Sequence, residues 1–282
     1  MSEEPNTALV PTRYYRTRLS RLSYGECWNT HPSRVIGAML VVLRALRIDT
    51  PAPMATPWVE RLVLVDHERL TEQQRARLEP VLASLAELGF SLVFSYDIPY
   101  IVSSHESVNV VLLGKGGLVC AVVSDYYNDA GSPGRFAMVR TDVTLWSRVA
   151  GRVVETNTGS DSFLVPPERD MQMLPGTDPA SLLRKHEDRV AAMVELPGYR
   201  SAPTVEPFLP EELENFIVSY HQRFATYYAE RGVLVPMTSE EVEVMRVEVA
   251  SGKLQLKGQV VNAAVFGVAT LVVVLVMFWL LL

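Results

Sequence analysis

Cysteine is scarce in this chain, which has only Cys27 and Cys120 among 282 residues. Two cysteines cannot build a disulfide framework, although a single bridge would be consistent with the count. No Asn-x-Ser/Thr glycosylation site occurs either. Both absences favour a protein of a reducing compartment.

Positive charge is also in short supply, with 26 Lys and Arg against 32 Asp and Glu and a net charge of −6. Binding to nucleic acid needs clustered cations that neutralise phosphates, so we expect no nucleic-acid partner. The distribution is uneven, because residues 1–50 contain seven arginines and only four acidic residues, a local excess of +3. The remaining chain therefore has a net charge of −9.

Spacings typical of catalytic or metal sites are missing. Cys27 and His31 are four residues apart, but a zinc site needs three or four ligands and the other histidines are scattered singly. His105 and Glu106 are neighbours in a predicted strand, where adjacent side chains face opposite sides. The glycine-rich sequence GKGG at residues 114–117 lacks the spacing of a phosphate-binding P-loop and favours a hairpin turn.

Two further polar features have a structural explanation as well as a chemical one. The sequence SDYYND, which contains Asp125 and Asp129, is typical of a turn, although its two carboxylates could hold a metal or transfer protons. His186 falls on the inner face of a predicted helix, where a hydrogen-bonded structural histidine is favoured over a catalytic one. We therefore predict no catalytic, cofactor or metal site.

What the chain does have is a long apolar run near its C-terminus. Residues 260–282 contain no charged side chain. As a helix they would extend roughly 34 Å, enough to cross the ~30 Å hydrocarbon core of a bilayer. Trp279 near the far end suits the membrane interface. We expect a single transmembrane helix that acts as a tail anchor, because a buried helix of a soluble core rarely lacks a polar face over this length.

Basic residues on one side of this run predict its orientation. Arg246, Lys253 and Lys257 precede it, so the positive-inside rule places the rest of the chain in the cytoplasm. The N-terminal stretch RYYRTRLSRL could likewise contact anionic lipid headgroups, or form a solvated edge strand. The predicted membrane-surface contacts are Arg13, Arg16, Arg18, Arg21, Lys253 and Lys257.

The rest of the chain divides into three parts. Residues 1–57 predict a basic lead-in with a short helix at 35–43 and a proline-rich linker. Residues 58–195 predict an α+β domain, in which strands joined by short turns form an antiparallel meander flanked by helices. Residues 196–259 predict a helical connector to the membrane. The helices expected in these two parts cover residues 70–90, 176–195 and 211–232, and capping boxes are predicted at Thr71 and Thr238.

Part of the domain resembles uncharacterised bacterial membrane-associated proteins. The resemblance covers roughly residues 70–195 and rests on the sequences LEPVLASLAELGF, TLWSRVAGRVVETNT and LPGTDPASLLRKHEDRVAAM. It concerns helix caps and hairpins, and it implies no activity.

The helix predicted at residues 211–232 has an apolar stripe that could serve as a partner-binding face: Leu213, Phe216, Ile217, Tyr220, Phe224 and Tyr227. Together these features predict a tail-anchored protein whose cytoplasmic domain acts as an adaptor or scaffold. The alternatives are a membrane-tethered enzyme with a site assembled from distant residues, and a subunit of a membrane complex.

Overall fold

The computed structural model describes residues 13–29, 34–47, 55–66, 68, 70–98, 105–128, 138–159, 165–194 and 205–251. The strands of this part are β1 (Tyr14–Thr17), β2 (Thr56–Pro57), β3 (Val63–Val65), β4 (Ser91–Asp97), β5 (His105–Gly114), β6 (Val119–Asn128), β7 (Met138–Val149), β8 (Arg152–Asn157), β9 (Arg169–Met173) and β10 (Leu234–Pro236). Its α-helices are α1 (Tyr24–Asn29), α2 (Arg34–Ala45), α3 (Glu72–Glu87), α4 (Pro179–Val194), α5 (Leu213–Glu230) and α6 (Ser239–Ala250).

Seven strands form the main sheet in the order β3-β4-β5-β6-β7-β8-β9. Neighbours from β3 to β8 run antiparallel and follow one another along the chain. The short turns at residues 115–118 and 150–151 require the pairs β5–β6 and β7–β8 to be antiparallel. The predicted α+β fold, a mostly antiparallel sheet flanked by helices, is confirmed.

The last strand of the sheet was not among those expected from the sequence. β9 pairs in parallel with β8, so the sheet is not a pure meander. The only apolar residues in its sequence RDMQM are two methionines. The sequence contains none of the β-branched or aromatic residues that are typical of strands, so it does not predict one.

Both faces of the sheet are covered by helices. α3 and α4 pack on one face, where Leu78, Leu85 and Leu182 join a buried core with alternate residues of β5, β6 and β7. α5 packs on the other face through Leu213 and Ile217. Because both faces are buried, these strands are apolar almost without interruption, as the sequences VNVVLL and LVCAVV show.

The helices begin where their capping residues predicted. Thr71 and Gln74 form a reciprocal capping box at α3, and Thr238 and Glu241 form one at α6. Pro80 lies inside α3, which is nevertheless continuous from Glu72 to Glu87.

A second, small sheet joins the lead-in to the connector. β1 lies in the middle of the order β10-β1-β2 and pairs antiparallel with both neighbours. The edge-strand interpretation of the basic stretch is therefore wrong, because residues 234–236 supply a neighbour that is distant in sequence. Tyr14 and Tyr15 are buried, and Arg16 forms a 2.7 Å ion pair with Glu241.

Among the described residues, no helix combines the length and apolarity that crossing a membrane requires. The predicted span, residues 260–282, lies outside them.

Candidate functional site

A row of side chains crosses three strands at one end of the sheet. Arg148 of β7 pairs in register with Val153 of β8, which in turn pairs with Arg169 of β9. Residues in register point to the same face of a sheet. The two arginines therefore flank one valine on the face that α5 covers.

Helix α5 forms the opposite wall of a cleft over this row. Its contributing side chains recur at intervals of three and four residues, which places them on one helix face. The cleft has a volume of about 250 Å³. Its lining residues are Arg148, Val153, Glu168, Arg169, Glu212, Asn215, Phe216, Ser219, Tyr220 and Arg223.

Arg169 is fixed by its contacts with Tyr220. The guanidinium lies 3.4 Å from the centre of the tyrosine ring and donates a 2.6 Å hydrogen bond from Nη2 to the Tyr220 carbonyl. The Tyr220 hydroxyl donates to the buried carboxylate of Glu155. Burial, followed by the charge of Glu155, raises the pKa of Tyr220, so the phenol stays protonated.

Arg148 is held at the other end of the row. Its Nη2 donates to the carbonyl of Pro207, and its guanidinium lies 4.6 Å from the centre of the Phe208 ring. The carboxylate of Glu212 is 3.3 Å away. The buried Nε–H of Arg148 has no hydrogen-bond partner within the described part of the chain.

Arg223 completes the cleft from α5. Its side chain is exposed, and it makes no ion pair or hydrogen bond with any residue that the structure describes. Three arginines and two glutamates thus line the cleft, so its lining has an excess of one positive charge. Arginines preoriented by aromatic stacking and backbone contacts are suited to bind an oxyanion.

On the other face of the same strands, His186 of α4 belongs to an ordered chain of hydrogen bonds. Ser147 Oγ donates to the Leu118 carbonyl at 2.8 Å, so it accepts from His186 Nε2 at 3.0 Å. Thr156 Oγ1 accepts from Arg189 at 2.9 Å and donates to His186 Nδ1 at 3.0 Å. Burial, and then the charge of Arg189, lowers the pKa of His186 to about 4.

These directions determine what the histidine can do. A serine nucleophile must donate its hydroxyl proton to the histidine, whereas the Ser147 hydroxyl accepts a hydrogen bond from His186. A mainly aliphatic pocket of about 420 Å³ adjoins Ser147 and His186. The polar hydrogens of both side chains are already used in hydrogen bonds within the protein. The prediction of a structural histidine at this position agrees with the geometry.

Asp125 also has a structural role. The turn interpretation of its segment is wrong for residues 124–128, which lie inside β6, while Asp129 lies outside the described residues. Asp125 is fully buried and accepts three hydrogen bonds of 2.6–3.1 Å from Arg77 of α3. The pair links α3 to the sheet.

The cysteines are buried free thiols. Cys27 lies on α1 in a buried cluster that also contains Tyr228 of α5, and burial raises its pKa. His31, its proposed co-ligand, lies outside the described residues, and the side chain of His105 is not described. No group of three or more potential metal ligands occurs among the described residues. The GKGG sequence forms the predicted turn, between β5 and β6.

The residues predicted to contact the membrane surface differ in their exposure and in whether the structure describes them. Arg13 and Arg21 are exposed, Arg18 is partly buried, and Arg16 is paired with Glu241. Lys253 and Lys257 lie outside the described residues. Lipid contact by these side chains stays a prediction.

The predicted partner-binding stripe packs largely within the chain. Leu213, Phe216, Ile217 and Tyr220 contact the core of the main sheet, and Phe224 and Tyr227 join the cluster around Cys27. Phe216, Tyr220, Phe224 and Tyr227 are only partly buried. Binding of a partner by this face stays a prediction.

Sequence reasoning missed the arginine-lined cleft. Its cations come from β7, β9 and α5, and no local motif connects Arg148, Arg169 and Arg223. The sequence feature that indicates part of the cleft is the helical spacing of Phe216, Tyr220 and Arg223. This spacing places a positively charged side chain next to the aromatic stripe of α5.

Comparison of the chain with protein-family models, with curated proteins and with solved structures gave no match.

Proposed function

We propose that the protein is a membrane-anchored binding module, in which residues 260–282 cross the bilayer and the folded body acts as an adaptor at the cytoplasmic face. In this proposal the cleft between β7–β9 and α5 binds an anionic group of a partner. The observation that carries the proposal is the set of three guanidinium groups around one cleft.

The geometry of the cleft supports binding. Two of its arginines are held by aromatic rings and backbone carbonyls, so little side-chain freedom remains to be lost when an anion binds. Arg223 has no partner among the described residues and supplies an uncommitted cation.

The anchor is supported by composition. Twenty-three consecutive residues without a charge are long enough for a membrane span, and basic residues precede them. An anchored body meets its partners at the membrane surface, where even a modest affinity gains from a high local concentration.

The test is crosslinking and affinity purification of the full-length protein from native membranes. Arg223→Gln removes the free cation, and Arg184→Gln removes an exposed cation from α4 on the opposite side of the sheet. We expect a stoichiometric partner with the unchanged protein and with Arg184→Gln, and its loss with Arg223→Gln. Equal recovery with both variants would contradict a role for the cleft.

A chain that ends at Gly258 separates the adaptor from the alternative of a membrane-complex subunit. Retention of the partner by this shorter chain places the interaction in the folded body. A partner recovered only with the anchored chain would instead favour assembly through residues 260–282.

A further inference from the structure

We propose that the anionic group recognised by the cleft is a phosphate monoester. This inference rests on the proposed function, because it names the chemistry of the ligand at the same site.

The number of cations favours phosphate over carboxylate. One guanidinium fork satisfies both oxygens of a carboxylate. Three guanidinium groups surround this cleft, and a phosphate monoester offers three terminal oxygens and up to two negative charges. Arg148 and Arg169 are two strand spacings apart, roughly 10 Å between Cα atoms, so long arginine side chains can reach a common anion from either side.

The size of the cleft limits the rest of the ligand. Its volume of about 250 Å³ is below the ~300–1,000 Å³ typical of pockets for drug-sized molecules. A phosphate with a small organic group fits entirely within this volume, whereas the rest of a larger ligand has to extend out of the cleft. Both a lipid headgroup and a small soluble metabolite meet that limit.

Glu212 occupies part of the site when the ligand is absent. Its carboxylate lies 3.3 Å from Arg148, and its side chain is 49% exposed. Such an exposed pair is weak and can be displaced. Glu212 therefore competes with the ligand for the same guanidinium, and its removal is expected to strengthen binding.

The experiment is isothermal titration calorimetry of the full-length protein in neutral detergent and phosphate-free buffer. The probes are glycerol 3-phosphate, dihexanoyl phosphatidic acid and, as a carboxylate control, acetate. The variants are Arg223→Gln, Glu212→Gln and the matched control Arg184→Gln. Circular dichroism and a thermal unfolding curve of each variant establish that it is folded.

We expect glycerol 3-phosphate to bind at least tenfold more tightly than acetate. Arg223→Gln should weaken that binding about tenfold, which is the effect of losing one charged hydrogen bond. Glu212→Gln should tighten binding several-fold, a gain that a loss of folding cannot produce. Arg184→Gln should leave it unchanged.

The two sources of phosphate are separated by the second probe. Equal affinity for both phosphates indicates a soluble ligand, and tenfold tighter binding of the phosphatidic acid indicates a lipid headgroup. Either result supports the inference. Acetate binding as tightly as phosphate, no heat of binding with either phosphate, or equal losses with Arg184→Gln and Arg223→Gln would overturn it.

Failure of this inference is distinguishable from failure of the proposed function. Partner recovery that depends on Arg223, together with no phosphate binding, would retain the adaptor and reject its ligand chemistry. Phosphate binding without any partner in native membranes would retain the site and reject the adaptor.

Discussion

His186 Nε2 on α4 donates a 3.0 Å hydrogen bond to Ser147 Oγ on β7, whereas in a catalytic Ser–His pair the serine donates to the histidine. The hydrogen of Ser147 is committed to the Leu118 carbonyl, and the second ring nitrogen of His186 accepts from Thr156. The imidazole is therefore neutral and connects a helix to two strands.

This neutral state makes stability depend on pH. The pKa of His186 falls from 6.5 to about 4 on folding, so between these values the unfolded chain binds a proton that the folded protein does not. The stabilisation that neutral His186 gives to the folded protein is fully present above pH 6.5 and is lost as the pH falls toward 4. The whole change in the free energy of unfolding is about 3 kcal/mol.

Urea unfolding of the wild type and of His186→Gln between pH 4 and 7.5 measures this effect. The glutamine amide can donate and accept but does not titrate, so the free energy of unfolding of the variant should depend less steeply on pH. All other titrating groups are common to both proteins. Parallel curves would rule out the proposed contribution of His186.

The buried pair of Arg77 and Asp125 should be far more important for stability than an exposed pair. Asp125→Asn removes the buried negative charge that pairs with Arg77, and we expect a loss of about 3–5 kcal/mol in the free energy of unfolding. The control is Glu187→Gln, which breaks a 3.3 Å pair with Lys115 in which both side chains are about half exposed. That change should cost less than about 1 kcal/mol. Similar losses in the two variants would contradict this account.

The sequence was sufficient to predict the antiparallel sheet but not the contacts that its strands make. Turns such as Ala150–Gly151 join neighbouring strands with so few residues that the strands must run antiparallel. No comparable rule connects Arg77 to Asp125, which are 48 residues apart. Composition alone therefore predicts a turn at Asp125, although an ion pair satisfies its carboxylate inside β6.

The cleft was unpredictable for the same reason. Arg148 and Arg169 lie in one row only because β9 adds in parallel beyond β8, and the sequence of β9 has no strand pattern. The aromatic stripe of α5 could be predicted, because helical periodicity is a local property. What the stripe packs against is a property of the whole fold.

The turn before β6 places a glycine against the segment that supports the cleft. Gly117 has φ +89°, and a Cβ atom there would lie 2.6 Å from the carbonyl oxygen of Phe208. Gly116 has φ +65°, but its Cβ would meet none of the described atoms within 4 Å. Both alanine substitutions adopt an unfavourable backbone conformation at about 1–2 kcal/mol.

Gly117→Ala should therefore destabilise the protein by about 1–3 kcal/mol more than Gly116→Ala, because it alone adds a steric clash. It should also weaken anion binding, since Phe208 packs beneath Arg148. Thermal unfolding and glycerol 3-phosphate titration measure the two effects. An equal loss of stability in both variants would show that the Phe208 segment moves aside.

Phe216 distinguishes a core residue from a partner-binding one. Its ring centre lies 4.8 Å from that of Phe208 and 5.5 Å from that of Trp146, so Phe216→Ala should lower the free energy of unfolding by about 2 kcal/mol or more. Phe216→Leu keeps most of the volume and should cost less than about 1.5 kcal/mol. Denaturant unfolding and recovery of the partner from native membranes are measured on the same samples. A stable Phe216→Ala protein that has lost its partner would reassign this face of α5 from the core of the fold to the interface of a complex.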